Sequence, residues 1–241
     1  MENLYLFIFL ALIAEILGTI GGFGSSLFFV PIASFFLDFY SVLGITAIFH
    51  VSSNITKIAF FRKGFDKKLI LSLGIPAVLF VIIGGIFSKY IPTDTLELFL
   101  ASFLIITSLV FLVFKGLAVK PKLANSVSGG VLSGLIAGLL GTGGAIRGIV
   151  LAAFNLKTEV FIATSAIIDL GIDLSRSIVY SINGFVHKEH LYLIPILLLV
   201  SIVGTYIGKK ILEKMSEQQF KSVVLILILV TGIITLGKVL L

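Results

Sequence analysis

A polytopic, all-α membrane protein built from two homologous repeats is the fold class this sequence predicts, and three observations carry it. Long apolar runs recur along a chain that is 58% hydrophobic and only 12% charged, with a mean hydropathy of +1.20; a soluble domain carries roughly 25% charged residues. Dense glycine interrupts an apolar run twice, at Leu17-Gly-Thr-Ile-Gly-Gly-Phe-Gly-Ser-Ser26 and at Leu139-Leu-Gly-Thr-Gly-Gly-Ala-Ile-Arg-Gly148. Landmarks also repeat at a constant offset of 119 (166 minus 47, 195 minus 76, 204 minus 85): Ala47 with Ala166, Pro76 with Pro195, Gly85 with Gly204. At that offset His50, Asn54 and Lys57 fall on Asp169, Asp173 and Arg176. Such self-similarity defines a duplicated fold.

In chain order, residues 4–37 form an apolar stretch with one acid, Glu15, and the break at Gly18–Gly24. As one helix it would be ~50 Å long against a hydrocarbon core of ~30 Å, so it either tilts and bends or returns as a hairpin of two half-helices. Met-Glu-Asn ahead of it lacks a basic region, so a cleaved signal peptide is not expected. Residues 41–61 span once and the basic turn Arg62–Lys68 follows. Residues 69–90 span next, with Gly84-Gly85 suited to close helix contact. Pro92 and Asp94 open a span over 94–114, where both residue types favour a helix start. Residues 115–122 link the halves. The second half then repeats the order: a glycine-broken segment over 123–154 and spans at 159–181, 191–208 and 219–238. No loop can hold a soluble domain, so 1–241 reads as a single transmembrane domain, with repeat one at 4–114 and repeat two at 123–240.

Charge chooses between two topologies. If each glycine-broken segment crosses fully, each half has four spans and the halves are parallel. Loop cations then divide nine to six. If each is re-entrant, each half has three full spans and the halves are inverted. Arg62, Lys63, Lys67, Lys68, Lys115, Lys120, Lys122, Lys157, Lys209, Lys210, Lys214 and Lys221 then share one side, leaving Lys89, Lys188 and Lys238 on the other. The excess of cytoplasmic Lys and Arg in membrane proteins favours the inverted division of twelve to three, with both termini outside. The net charge of +6 is accounted for by topology and anionic lipid, so nucleic acid is not an expected partner. With no cysteine, disulfides, thiolate catalysis and cysteine metal sites are excluded.

The glycine-rich break opening each half, Gly18-Thr-x-Gly-Gly22 and Gly141-Thr-Gly-Gly144, resembles that of the TauE/SafE family of sulfite exporters and toluene-sulfonate-uptake permeases. Pro31 after the first break and a repeat over residues 4–240 fit it too. The second copy departs from the first: Pro31 becomes Ala153 and Ser25 becomes Arg147. The resemblance implies a secondary transporter that exports or imports a small organic or sulfur-containing anion. A passive anion channel is the alternative. An intramembrane enzyme is disfavoured by the lack of a Ser–His or paired-Asp protease motif, and a membrane scaffold leaves charged residues beside matched helix breaks unexplained. Nothing resembles a nucleotide-binding phosphate loop, so ATP does not drive transport directly. No cofactor is expected. The expected partners are the anion, the bilayer, protons or another coupling ion and, left open, further copies of the chain.

The expected substrate contacts are the two breaks themselves: Gly21, Gly22, Gly24 and Ser25 in the first, Gly141, Thr142, Gly143, Gly144 and Arg147 in the second. Matched breaks in two halves point to a site between them. A half-helix N-terminus offers free N–H groups and partial positive charge to an anion, and Arg147 adds a planar fork of donors. The structural alternative makes Arg147 a strut paired to a carboxylate. His50, Ser53, Asn54 and Lys57 share one helical face, as do Asp169, Asp173, Arg176 and Tyr180 on the matching helix. Ionisable residues inside a membrane face the interior and mark ion paths. Here they read as coupling groups or as a neutralised polar seam, and Lys57 and Arg176 lie near enough to span ends to snorkel. Glu15 reads as a proton carrier or a partner for Arg147, with exposure at a mouth as the alternative. His187 and His190 flank Lys188-Glu189; with no further ligand nearby in sequence, no metal site is expected.

Overall fold

The computed structural model describes residues 3–22, 24–113, 120–214, 233, 236 and 237; these form helices and connections, with no strand among them. The order is α1 (Leu4–Gly21), α2 (Ser26–Ala33), α3 (Phe39–Phe60), α4 (Lys67–Leu69), a π-helical turn (Ile70–Gly74), α5 (Ile75–Ser88), α6 (Thr93–Val113), α7 (Leu123–Leu140), α8 (Gly144–Ala152), α9 (Thr158–Ile182) and α10 (Leu193–Leu212). Six of the described helices are long and apolar enough to cross a membrane: α1, α3, the run from α4 through α5, α6, α7 and α10. The linker expected at 115–122 lies mostly outside the described residues, and the span expected at 219–238 almost wholly so.

Local chemistry sets the boundaries. Asp38 caps α3 by accepting from the Ser41 backbone N–H at 3.0 Å, and Asp66 caps α4 by accepting from that of Leu69 at 2.9 Å, as an N-terminal carboxylate should. Pro76 has no N–H for the helical ladder, and the π turn lies immediately before α5, where Pro76 is the second residue. Gly22 ends α1 with φ 65° and Gly141 ends α7 with φ 74°. Both are left-handed caps that a side chain would strain. α10 runs to Leu212, past the expected end at 208. Lys209 donates to the Phe60 carbonyl at 2.7 Å and lies over the Phe61 ring, so its charge is held against α3 and the helix continues.

Three pairings position the interior. α3 and α9 run antiparallel: Ser41 meets His187 just beyond α9, Asn54 meets Asp173, and Asp66 just beyond α3 meets Thr164. α7 lies parallel to the α4–α5 run, where Cβ atoms on Gly130, Gly134 and Gly138 would collide with the backbone at Leu73, Ala77 and Val81. α10 lies parallel to α1 in the same manner, with Gly204 against Glu15 and Gly208 against Thr19. Small residues let helices approach this closely where lipid supplies little hydrophobic drive. The opposite face of the α4–α5 run carries exposed Leu71, Ile75, Leu79 and Ile83, a stripe suited to lipid contact. After Gly22 the chain turns back along α1, since Phe7 packs edge-on to both Phe29 and Phe36. After Gly141 it turns back along α7, bringing Val150 against Gly129.

Candidate functional site

α3 and α9 cross with their polar faces opposed, and the two glycine turns arrive beside them. The cavity between is lined by Gly24 and Ser25 of the first turn, Gly141, Gly143, Gly144 and Arg147 around the second, His50, Asn54 and Lys57 of α3, and Asp169, Asp173 and Arg176 of α9. Gly22 lines a smaller adjoining cavity with Gly24, Ser165 and Asp169. Gly21 ends α1 half-buried, and Thr142 is buried with no partner found for its hydroxyl among the described residues. The main cavity has room for about one water, ≈ 10 Å³.

Five buried charges line it and a sixth, Glu15, lies just behind. Lys57, Arg147 and Arg176 are 4%, 2% and 2% exposed; Glu15, Asp169 and Asp173 are 0%, 9% and 4% exposed. The three cations balance the three carboxylates, which makes burial of so many charges tolerable. Arg147 presents two nitrogens to the two oxygens of Asp169, each at 2.5 Å, and its Nε donates to Ser165 Oγ at 3.2 Å. Arg176 Nε donates to Asp173 at 2.6 Å and its Nη1 to the Gly141 carbonyl at 2.5 Å. Asn54 donates to the other oxygen of Asp173 at 2.7 Å.

Helix breaks leave backbone carbonyls that need donors, and α9 supplies one to each turn. Ser165 donates to Gly22 O at 3.0 Å, and Arg176 serves Gly141 O. The two turns are thereby tied to one helix. A Cβ built on Gly24, whose φ is 87°, would lie 3.5 Å from Arg147 Nη2, so the first turn reaches the guanidinium of the second.

Glu15 sits one step behind the cavity at the centre of a hydroxyl cluster. It accepts from Ser25 at 2.6 Å, Ser53 at 2.6 Å, Thr205 at 3.0 Å and Thr19 at 3.3 Å. Lys57 pairs with it at 2.8 Å and donates to Ser53 at 2.5 Å. This corrects two readings of Glu15: its ion-pair partner is Lys57 rather than Arg147, and it is fully buried rather than exposed at a mouth. It also corrects the snorkelling alternative for Lys57 and Arg176, since both heads point inward, to carboxylates. His50 joins the two subclusters, with Nδ1 3.2 Å from Arg176 Nη2 and Nε2 3.0 Å from Ser25 Oγ. A guanidinium can only donate, so Nδ1 accepts and the proton sits on Nε2. That orientation completes a chain from Arg176 through His50 and Ser25 to Glu15.

Some contributors were not singled out from sequence. Thr19 lies four residues after Glu15, and that spacing was a usable signal. Ser165 and Thr205 gave none, being common residues of apolar helices. His187 and His190 lie far from the cavity but are not alone, since Asp38 joins them. The expectation that no further ligand stands near them is therefore corrected: the fold brings one from 149 positions away (187 minus 38).

A family model described as sulfite exporter TauE/SafE matches residues 7–235, nearly the whole chain. No curated protein and no solved structure matches it.

Proposed function

The chain belongs to the sulfite exporter TauE/SafE family and is a multi-pass integral membrane protein, and on that premise we propose that it is a secondary transporter whose anion binds between the two glycine turns. The observation that carries this is the neutral six-charge cluster at their junction. Asp169 holds the Arg147 fork as a small oxyanion would hold it. An entering sulfite or organosulfonate competes for that fork and leaves Asp169 without its cation. With a monoanion, hydrogen sulfite or a sulfonate, the cluster then carries one excess negative charge in a low-dielectric site. A proton on Asp169, or on Asp173 one turn further along α9, restores neutrality. Anion and proton thus bind together, which couples transport to a pH gradient. A passive channel needs no titrating carboxylate, whereas Asp169 and Asp173 both line the cavity.

The test is flux of sulfite into proteoliposomes with and without a pH gradient. Gradient-dependent uptake is expected from wild type. Asp169→Asn, which carries no exchangeable charge, should lose the pH dependence while retaining exchange of anion for anion. Equal flux with and without a gradient in wild type would favour the channel. PH dependence unchanged in both Asp169→Asn and Asp173→Asn would remove these groups from coupling.

We read residues 1–241 as one domain of two inverted repeats, 4–114 and 123–240, each a re-entrant hairpin followed by three crossings. The antiparallel packing of α3 on α9 supports this, because a pseudo-two-fold axis in the membrane plane relates the two helices in that sense. So does the bond between Asn54 and Asp173, equivalent positions that meet as residues beside such an axis do. α1 on α10 and α7 on α5 form the matching swapped pairs. α9, whose charges are paired internally, is then a crossing. The chain lacks cysteine, so single cysteines placed at Arg62 and at Lys120 are expected to label from the cytoplasmic side, and one at His187 from outside. Labelling of positions 62 and 187 from the same side would return four crossings per half.

A further inference from the structure

Asp38, His187 and His190 each offer a ligand atom, and these atoms all lie within 4.8 Å of one another. The cluster stands apart from the charged cavity, where the polypeptide enters α3 and where α9 turns into α10. Its parts are held by backbone geometry. Asp38 spends one carboxylate oxygen on capping α3, which orients the other toward His187, 3.9 Å from Nδ1. Residues 188–190 form a single 3-10 turn, closed by the His190 N–H on the His187 carbonyl at 3.1 Å. That turn places both imidazoles on one side, with ring centroids 6.2 Å apart. Stacking of Phe185 on Tyr40, with centroids at 4.3 Å, and the bond of Ser41 Oγ to His187 Nδ1 at 2.9 Å dock the turn against α3. Asp38 and His187 side chains are 52% and 43% exposed and that of His190 18%, so a hydrated ion can reach all three.

We propose that Asp38, His187 and His190 form a binding site for a divalent cation of the zinc class, clasping the start of α3 to the α9–α10 turn. Two imidazoles and one carboxylate are a nitrogen-rich set that suits zinc and its neighbours rather than calcium or magnesium, which take oxygen. Zinc bonds of ~2.0–2.2 Å at tetrahedral angles put ligand atoms roughly 3.3–3.6 Å apart. The three groups therefore need to close by little more than ~1 Å, within reach of small side-chain rotations. The Asp38 oxygen bonded to the α3 backbone is the kind of outer contact that holds a ligating carboxylate in place. Water fills the fourth position.

The experiment is zinc binding to the purified full chain, by competition with a chromophoric chelator and by the zinc-dependent shift in Tm. Wild type is expected to bind one zinc per chain and to gain thermal stability with zinc concentration, as a ligand of the folded state must. Asp38→Asn keeps a capping oxygen but loses the charge, and His190→Gln loses a ring nitrogen; each should weaken zinc at least tenfold while leaving the metal-free Tm near that of wild type. Magnesium should compete with zinc in neither. Failure of wild type to bind zinc stoichiometrically would overturn the site, and so would affinities unchanged in both variants. Sulfite flux is not the readout, so the outcome is independent of the transport reading.

Discussion

Arg147→Ala is expected to weaken anion binding by roughly ten- to hundredfold and to destabilise the fold as well. The two effects have separate origins, and one pair of variants separates them. The structural effect arises because the substitution leaves Asp169 buried without the fork that now holds both its oxygens. Removing one member of a buried pair costs ~3–5 kcal/mol, mostly as the penalty on the charge left behind. The binding effect arises only if the guanidinium touches the anion, where loss of a charge-assisted hydrogen bond costs ~1.5–3 kcal/mol. In the double variant Arg147→Ala with Asp169→Asn the stranded charge is gone. Stability should return toward wild type, measured by thermal unfolding, while sulfite binding stays weak. If the double variant regains both, Arg147 is a strut and the anion rests on the backbone N–H groups of the turns. Arg147→Lys keeps the charge and loses the fork, and should fall between wild type and alanine.

Glu15→Ala should be the most damaging single change to the fold. Glu15 is fully buried, pairs with Lys57 and accepts from hydroxyls on α1, the first turn, α3 and α10. It therefore ties the first hairpin to both α3 and α10. Alanine strands the Lys57 ammonium and leaves Ser25 and Thr205 without this acceptor. The expected cost is again ~3–5 kcal/mol, a fall in Tm of order 10 °C for a chain of this size. Replacing both ends of the pair, Glu15→Met with Lys57→Met, should recover a large part of that loss, because no lone charge remains buried. Unfolding of Glu15→Ala at the wild-type temperature would mean that Glu15 and Lys57 do not stabilise each other as charges in the membrane.

How much of this was legible beforehand differs between the fold and the site. Glycine clusters, span lengths and loop cations are local or counted properties, so the helical membrane class, the helix ends near Gly22 and Gly141 and the offset of 119 could be read directly. The polar faces of α3 and α9 were legible for the same reason: spacings of three and four residues place side chains on one side of one helix. Those residues do line one cavity. Which partner each takes was not legible. Arg147 could have met Glu15 or either aspartate, and Glu15 could have met water.

By itself, then, the sequence determined that this is a membrane bundle with charged faces near two breaks, because periodicity and composition act within a helix. Only the tertiary structure decided that Arg147 takes Asp169, that Arg176 takes Asp173 and the Gly141 carbonyl, and that Glu15 takes Lys57. It alone brought Asp38 to His187 and His190. These choices depend on how far one helix slides along another. That register is set by close contacts such as Gly134 on Ala77 and Gly204 on Glu15. A helix translated by one turn, ~5.4 Å, would keep every sequence pattern intact and exchange every charged partner.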